Sequence, residues 1–111
     1  MHTPRQMPET LTVCPTDELP PGERKVVEWN DVEILVVNVD GELFAIEDRC
    51  SHDDGELGDG KLHTDRCAIE CPRHGALFDL RNGKPLTLPA YQPVGTFPVS
   101  DDGTNITLEV E

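Results

Sequence analysis

The sequence predicts an all-β domain, and three observations carry that prediction. Apolar residues are mainly Val, Ile and Leu, set in short stretches that often alternate with polar ones. Gly (9) and Pro (10) are frequent enough to end those stretches repeatedly. Two strand-like runs lead into Asp40-Gly41 and Asn82-Gly83, dipeptides that favour two-residue hairpin turns. With 111 residues the chain has the size of one domain with a real core, without room for a second catalytic domain.

Residues 1–9 contain two prolines and no periodicity, and read as a flexible tail before one domain over residues 10–111. Leu11 to Cys14 alternates and predicts a first strand. Pro15 to Gly22 is a loop, because Pro20-Pro21-Gly22 favours extended and turn conformations. Arg24 to Trp29 predicts a second strand, ended by Asn30-Asp31. Val32 to Val39 is the most β-branched run and predicts a buried strand. Glu42 to Glu47 returns from Asp40-Gly41, with Leu43 and Ala45 on one face and Phe44 and Ile46 on the other. Asp53 to Gly60, rich in Gly and Asp, is a loop with at most a helical turn. Lys61-Leu62 and Arg66 to Glu70 predict short strands, with a turn at His63 to Asp65 between them. Ala76 to Leu80 runs towards the Asn82-Gly83 turn, and Pro85 to Leu88 runs back. Val94 to Ser100 and Thr104 to Val110 predict a final hairpin through Asp101-Asp102-Gly103, with strict alternation at Ile106, Leu108 and Val110.

Charge removes several classes of function. Nine Lys and Arg against 22 Asp and Glu give a net charge of −13. Nucleic acid binding needs cations that displace phosphate counterions, and an anionic membrane makes the same demand, so neither is expected. An acidic surface is instead suited to steering towards basic patches on partner proteins. No run approaches the ~18 apolar residues of a membrane-spanning helix, and no apolar stretch follows the N-terminal Met1 to Arg5. The expectation is a soluble, cytoplasmic monomer, with its four cysteines as metal ligands or thiols in a reducing compartment.

Chemistry concentrates in two short motifs. Cys50-Ser51-His52 and Cys71-Pro72-Arg73-His74 are separated by the 18 residues 53–70. Each offers one thiolate and one imidazole, at the end of an arriving strand. Four such ligands can fill one tetrahedral zinc site, or divide between the two irons of a [2Fe–2S] cluster. The order Cys-His-Cys-His and the one-residue gap in the first pair fit zinc poorly, since zinc sites usually group the two cysteines together. The same order is natural if each loop gives one ligand to each iron. Scattered residues are a weak explanation, because half of the eight Cys and His fall in these two motifs.

Together with Gly75 and the stretch Ala76-Leu77-Phe78-Asp79 through Arg81-Asn82-Gly83 to Leu88-Pro89-Ala90, these motifs resemble the Rieske signature of ferredoxins serving bacterial aromatic-ring dioxygenases. The resemblance runs from about residue 10 to the C-terminus. It implies an antiparallel β-sandwich with a small cluster-binding subdomain of two loops. It implies Cys50 and Cys71 on an inner iron, His52 and His74 on an outer, solvent-facing iron, and a loop near Pro89 packed over the cluster. The spacer is long for such ferredoxins, and the Gly-rich residues 55–60 can absorb the excess.

High-potential members carry a disulfide between the ligand loops, at positions that here are Gly55 and Arg73. They also carry a Ser and a Tyr that donate hydrogen bonds to cluster sulfur, at positions that here are Ala76 and Phe78. Without those donors the reduced, more negative cluster is less stabilised. The expected potential is therefore near the bottom of the Rieske range of roughly −150 to +300 mV. The resemblance implies a one-electron carrier between a ferredoxin reductase and a terminal oxygenase or another redox acceptor, and not an enzyme. A mononuclear iron oxygenase site needs two further His and a carboxylate, while the spare His2 and His63 lie in a tail and a turn. A ferredoxin tied to iron–sulfur cluster assembly, a non-catalytic small subunit of a multicomponent oxidoreductase and a zinc-stabilised interaction module remain as alternatives. Cys14 and Cys67 read as buried thiols, Cys67 by its strand parity with Ile69, and Trp29 reads as a core or rim residue. Asp53 and Asp54 read as a solvated loop.

Overall fold

A strand whose two faces are both apolar needs a partner layer on each side, and Val32–Val39 is such a strand. The computed structural model describes residues 9–49, 57–72, 75–87 and 93–110. Among them are nine strands: β1 (Glu9–Pro15), β2 (Arg24–Trp29), β3 (Val32–Val39), β4 (Glu42–Glu47), β5 (Leu62–His63), β6 (Ala68–Glu70), β7 (Leu77–Asp79), β8 (Val99–Asp101) and β9 (Asn105–Val110). They form three antiparallel three-stranded sheets, ordered β2-β3-β4, β5-β6-β7 and β1-β9-β8.

The β2-β3-β4 meander is central. Asn30-Asp31 and Asp40-Gly41 both take positive φ, the conformation of a type I′ turn whose twist matches the strands it joins. The side chains of β3 and β4 then divide by parity. Leu35, Val37, Val39 and Ile46 are buried with Leu57, Ile69, Cys71, Ala76, Phe78, Leu80 and Val94. Ile34, Val36 and Ala45 are buried with Cys14, Leu19, Ile106, Leu108 and Val110. The meander is thus a shared wall between two cores. The terminal sheet covers one face, and the small sheet with its flanking loops covers the other. Leu43 and Phe44 follow their expected faces. One buried polar group, Asn38, is satisfied locally: its amide donates to the Leu19 carbonyl at 2.8 Å and its oxygen accepts from Gly41 N–H at 2.8 Å.

The all-β prediction and the boundaries of β2, β3 and β4 agree with the structure. The short 3-10 turn at Leu57–Asp59 is the helical turn allowed within 53–60, whereas several other local expectations change. A second 3-10 turn occupies Thr16–Glu18, inside the expected loop. Residues 64–67 form a turn, so β6 begins at Ala68; Cys67 takes φ +50°, and the parity argument for it fails, although its side chain still packs against the core. His63 belongs to β5. Of the expected strand 94–100, only β8 pairs with β9. Residues 95–97 lie along β4 instead, through Glu47 N–H to Gly95 O and Phe97 N–H to Ala45 O, each 2.9 Å. The Asn82-Gly83 turn also differs from a two-residue hairpin. Only Gly83 takes positive φ, its N–H donates to Asp79 O at 2.8 Å, and the return leg pairs with β7 through a single bridge at Pro85. The expected tail lies outside the described residues, apart from Glu9, which begins β1.

Candidate metal centre

Three of the four expected ligands, Cys50, His52 and His74, lie outside the described residues, as do Gly55, Arg73 and Pro89. The fourth, Cys71, directly follows β6 and is fully buried. The described residues show how both ligand stretches are anchored.

The first stretch begins where β4 ends. Asp48 is buried; its N–H donates to Glu33 O at 2.9 Å, which extends the β3–β4 pairing to the brink of Cys50. The Asp48 carboxylate accepts from Gly58 N–H at 2.5 Å. That bond ties the end of β4 to the 3-10 turn at which the chain returns, with Leu57 fully buried beneath. The second stretch is closed by its own backbone. Cys71 N–H donates to Ala76 O at 2.7 Å, and Gly75 N–H donates to Cys71 O at 2.9 Å. Gly75 has φ +72°, a conformation glycine reaches without steric cost and other residues do not. Leu77, which leaves the second motif, donates its N–H to Thr87 Oγ1 at 2.8 Å, and its carbonyl accepts from Leu86 N–H at 2.7 Å. Residues before the expected Pro89 loop are thereby held against the exit of the motif.

One close approach brings the stretches together, and one side chain holds the turn that makes it. Gly60 packs so closely on the strand before Cys71 that an added Cβ would lie 1.6 Å from Glu70 O. Arg24, on β2, donates from one guanidinium nitrogen to Gly58 O at 3.0 Å and Gly60 O at 2.5 Å. Sequence reading did not single out Arg24, Asp48, Gly60 or Thr87. Only Asp48 carried a signal, its place two residues before an expected ligand.

The surroundings of Cys71 are apolar: Leu35, Ile69, Ala76 and Phe78 share its core, all of them fully buried. Such a shell lowers the local dielectric and would exclude water from a metal–sulfur bond at Cys71. Ala76 and Phe78, the positions without hydroxyls, are therefore core residues and give no O–H donor there. The donor set fits a [2Fe–2S] group with mixed Cys and His ligation: a buried cysteine at position 71, with Cys50, His52 and His74 completing the two motifs in the sequence.

Two pairs of ionisable groups lie nearby. His63 Nε2 lies 2.9 Å from Glu70 Oε1, so His63 is a half-buried strand residue with a partner, where a solvated one was expected. The Arg81 guanidinium beside Asp79 holds that buried carboxyl below its ordinary range, through bonds of 3.1 Å to each oxygen. Burial pushes the Cys67 thiol up, with Arg81 pulling the other way.

Residues 9–98 match the Rieske [2Fe-2S] domain. The chain is 44% identical over 100 residues to the 3-phenylpropionate/cinnamic acid dioxygenase ferredoxin subunit of Photorhabdus laumondii, a match covering 90% of this chain and 93% of that protein. The ferredoxin of carbazole 1,9a-dioxygenase from Nocardioides aromaticivorans IC177 has a similar structure, with TM-score 0.84 and 35% identity over 93% of this chain and 97% of the other. A ferredoxin chain in a complex of reduced oxygenase and oxidized ferredoxin in carbazole 1,9a-dioxygenase gives TM-score 0.83 at 31% identity, covering 89% of this chain and 91% of that one. With a fully buried cysteine in the second motif, and a match over most of its length, the chain belongs to the Rieske [2Fe–2S] family.

Proposed function

We propose that the chain is a low-potential Rieske ferredoxin that accepts one electron from a reductase and passes it to the terminal oxygenase of an aromatic-ring dioxygenase. The single observation that carries this reading is the similarity to dioxygenase ferredoxin subunits along nearly the whole chain. It also favours two irons over the zinc alternative. The cofactor is a Rieske-type [2Fe–2S] cluster, which supplies a one-electron couple; no bond to substrate forms or breaks on this chain.

We assign Cys50 and Cys71 to one iron and His52 and His74 to the other. The full burial of Cys71 supports its place on the inner side. The protein's own work is to hold the ligands and to keep water from the thiolate side through Leu35, Ile69 and Phe78. It also sets the potential. Ala76 and Phe78 offer no hydroxyl to stabilise the reduced state, which favours a donor to downstream centres over a respiratory component. A net charge of −13 favours capture by basic faces on the reductase and oxygenase, with rates that fall as salt rises. We place the protein in the cytoplasm, as a monomer whose thiols stay reduced. Among the described residues no helix is long and apolar enough to cross a membrane.

The test is direct. The isolated protein should be red-brown and, when reduced, give the EPR spectrum of mixed His and Cys ligation. It should carry electrons from a ferredoxin reductase to a dioxygenase oxygenase component. His52→Cys and His74→Cys should each abolish that spectrum. A colourless zinc protein, or a spectrum surviving His52→Cys, would overturn the assignment.

A further inference from the structure

Arg24 lies on β2, remote in sequence from both ligand motifs, yet its guanidinium reaches the ground between them. One nitrogen donates to the carbonyls of Gly58 and Gly60, 34 and 36 residues away. Those two carbonyls flank the end of the 3-10 turn Leu57–Asp59, where the chain has just left the first ligand stretch. The same turn is tied on its other side to Asp48, which precedes Cys50, through Gly58 N–H. It also abuts the second motif: Gly60 lies against the Glu70 carbonyl, and Glu70 N–H donates to Lys61 O at 2.9 Å. One short turn therefore touches the approach to Cys50 and the approach to Cys71, and Arg24, remote in sequence, fixes its carbonyl side.

We infer that Arg24 is a positioning residue for the cluster, which sets the relative placement of the two ligand stretches through the turn 57–60. Carbonyls at the end of a turn only three residues long have few helical partners, and a charged donor shared between two of them resists their separation. Asp48 does the complementary work on the amide side of the same turn. Each acts on the turn, and through it on the spacing of the two stretches. The inference rests on the ligand assignment above.

The experiment compares the holoprotein with Arg24→Met, which keeps an apolar stem and loses the donors, and Arg24→Lys, which keeps a charged donor on a simpler head. Three quantities are read: the rate at which visible colour is lost to a chelator, the EPR line shape after reduction, and amide exchange across β2 and β3. Arg24→Met should lose its cluster about tenfold faster, equivalent to about 1.4 kcal/mol. Its EPR lines should broaden, and exchange across β2 and β3 should stay parental. Arg24→Lys should bring the loss rate back to two- to threefold above the parent. Parental cluster lifetime and line shape in Arg24→Met would overturn the inference. So would faster loss that only tracks faster exchange across the hairpin, the mark of general destabilisation. If Arg24→Met fails to fold, Arg24→Lys decides: faster loss with parental exchange supports the role, and equal loss overturns it. Failure of the ligand assignment looks different, since His52→Cys would then keep the Rieske spectrum in a protein with Arg24 intact.

Discussion

Gly60→Ala is the sharpest test of how the two ligand stretches are joined. Gly60 does not take a positive φ, so alanine meets no backbone strain there; its cost comes from space alone. The added Cβ would sit 1.6 Å from Glu70 O, 2.8 Å from Glu70 C and 3.3 Å from Leu57 O. The colliding atoms are backbone, so no side chain can swing aside. Ordinary contact requires the turn and the strand ahead of Cys71 to part by more than about 1 Å, which places the change at or above the upper end of overpacking costs, about 3 kcal/mol. Stiffening of the unfolded chain by alanine offsets about 0.4–1 kcal/mol. The net loss of about 2–3 kcal/mol corresponds to about 10 °C in Tm for a domain of this size. Calorimetry on the holoprotein measures it. Gly58→Ala is the control, because its Cβ would meet side-chain atoms of Asp48 at 3.1 Å and Val26 at 3.3 Å, which can yield; about 1 kcal/mol or less is expected. A Gly60→Ala melting point within about 2 °C of the parent would refute the claim that the turn and the second motif are in rigid contact.

Adding hydroxyls at the two buried positions, Ala76→Ser with Phe78→Tyr, should raise the midpoint potential; at about 1 kcal/mol per hydrogen bond and 59 mV per tenfold for one electron, each donor is worth about 40 mV. Redox titration showing no rise would mean that other terms set the potential. Asp79→Asn should cost about 1 kcal/mol at pH 7, discounted because the Arg81 side chain is 61% exposed. Since Arg81 lowers the folded-state pKa of Asp79, its contribution is complete above the ordinary carboxylate range and fades as pH falls through the lowered value. The gap between the urea midpoints of parent and variant should therefore be full at pH 7 and narrow by pH 3. Cys67 should react with iodoacetamide more slowly at pH 7 than a free thiol, which is about 3% ionised there, because burial raises its pKa. Its rate should keep climbing past pH 9; a plateau near pH 8 would contradict the burial.

The strands β2, β3 and β4 were legible to the residue because each step is local: two apolar faces, two left-handed turns, alternation between them. Where placement depends on distant chain, the sequence carried less. Residues 95–97 read as part of the last hairpin, yet they pair with β4, a contact their own alternation cannot encode. Cys67 read as strand because nothing in its residue type signals φ +50°. His63 read as solvated because its partner Glu70 comes from the opposing strand. The site divides in the same way. The motifs proposed to hold the cluster stand out by their spacing, whereas the residues that anchor them do not. Arg24 is one of many charged residues on an edge strand, and only the fold puts it over Gly58 and Gly60. Gly60 looked like loop flexibility; in the structure it marks a close approach of two backbones.

The pairing of β1 with β9 joins Glu9 to Val110. During synthesis this has an order built into it. The hairpins of residues 24–47 and both ligand motifs emerge before β9, so the cluster-binding half can assemble on its local contacts. The opposite face of the meander, with Ile34, Val36 and Ala45, must wait for Ile106, Leu108 and Val110. Until then it is an uncovered apolar sheet on a nascent chain, the stage at which this protein is most exposed to aggregation and to chaperone capture. Emergence of β9, more than cluster acquisition, is then the step that seals the second core.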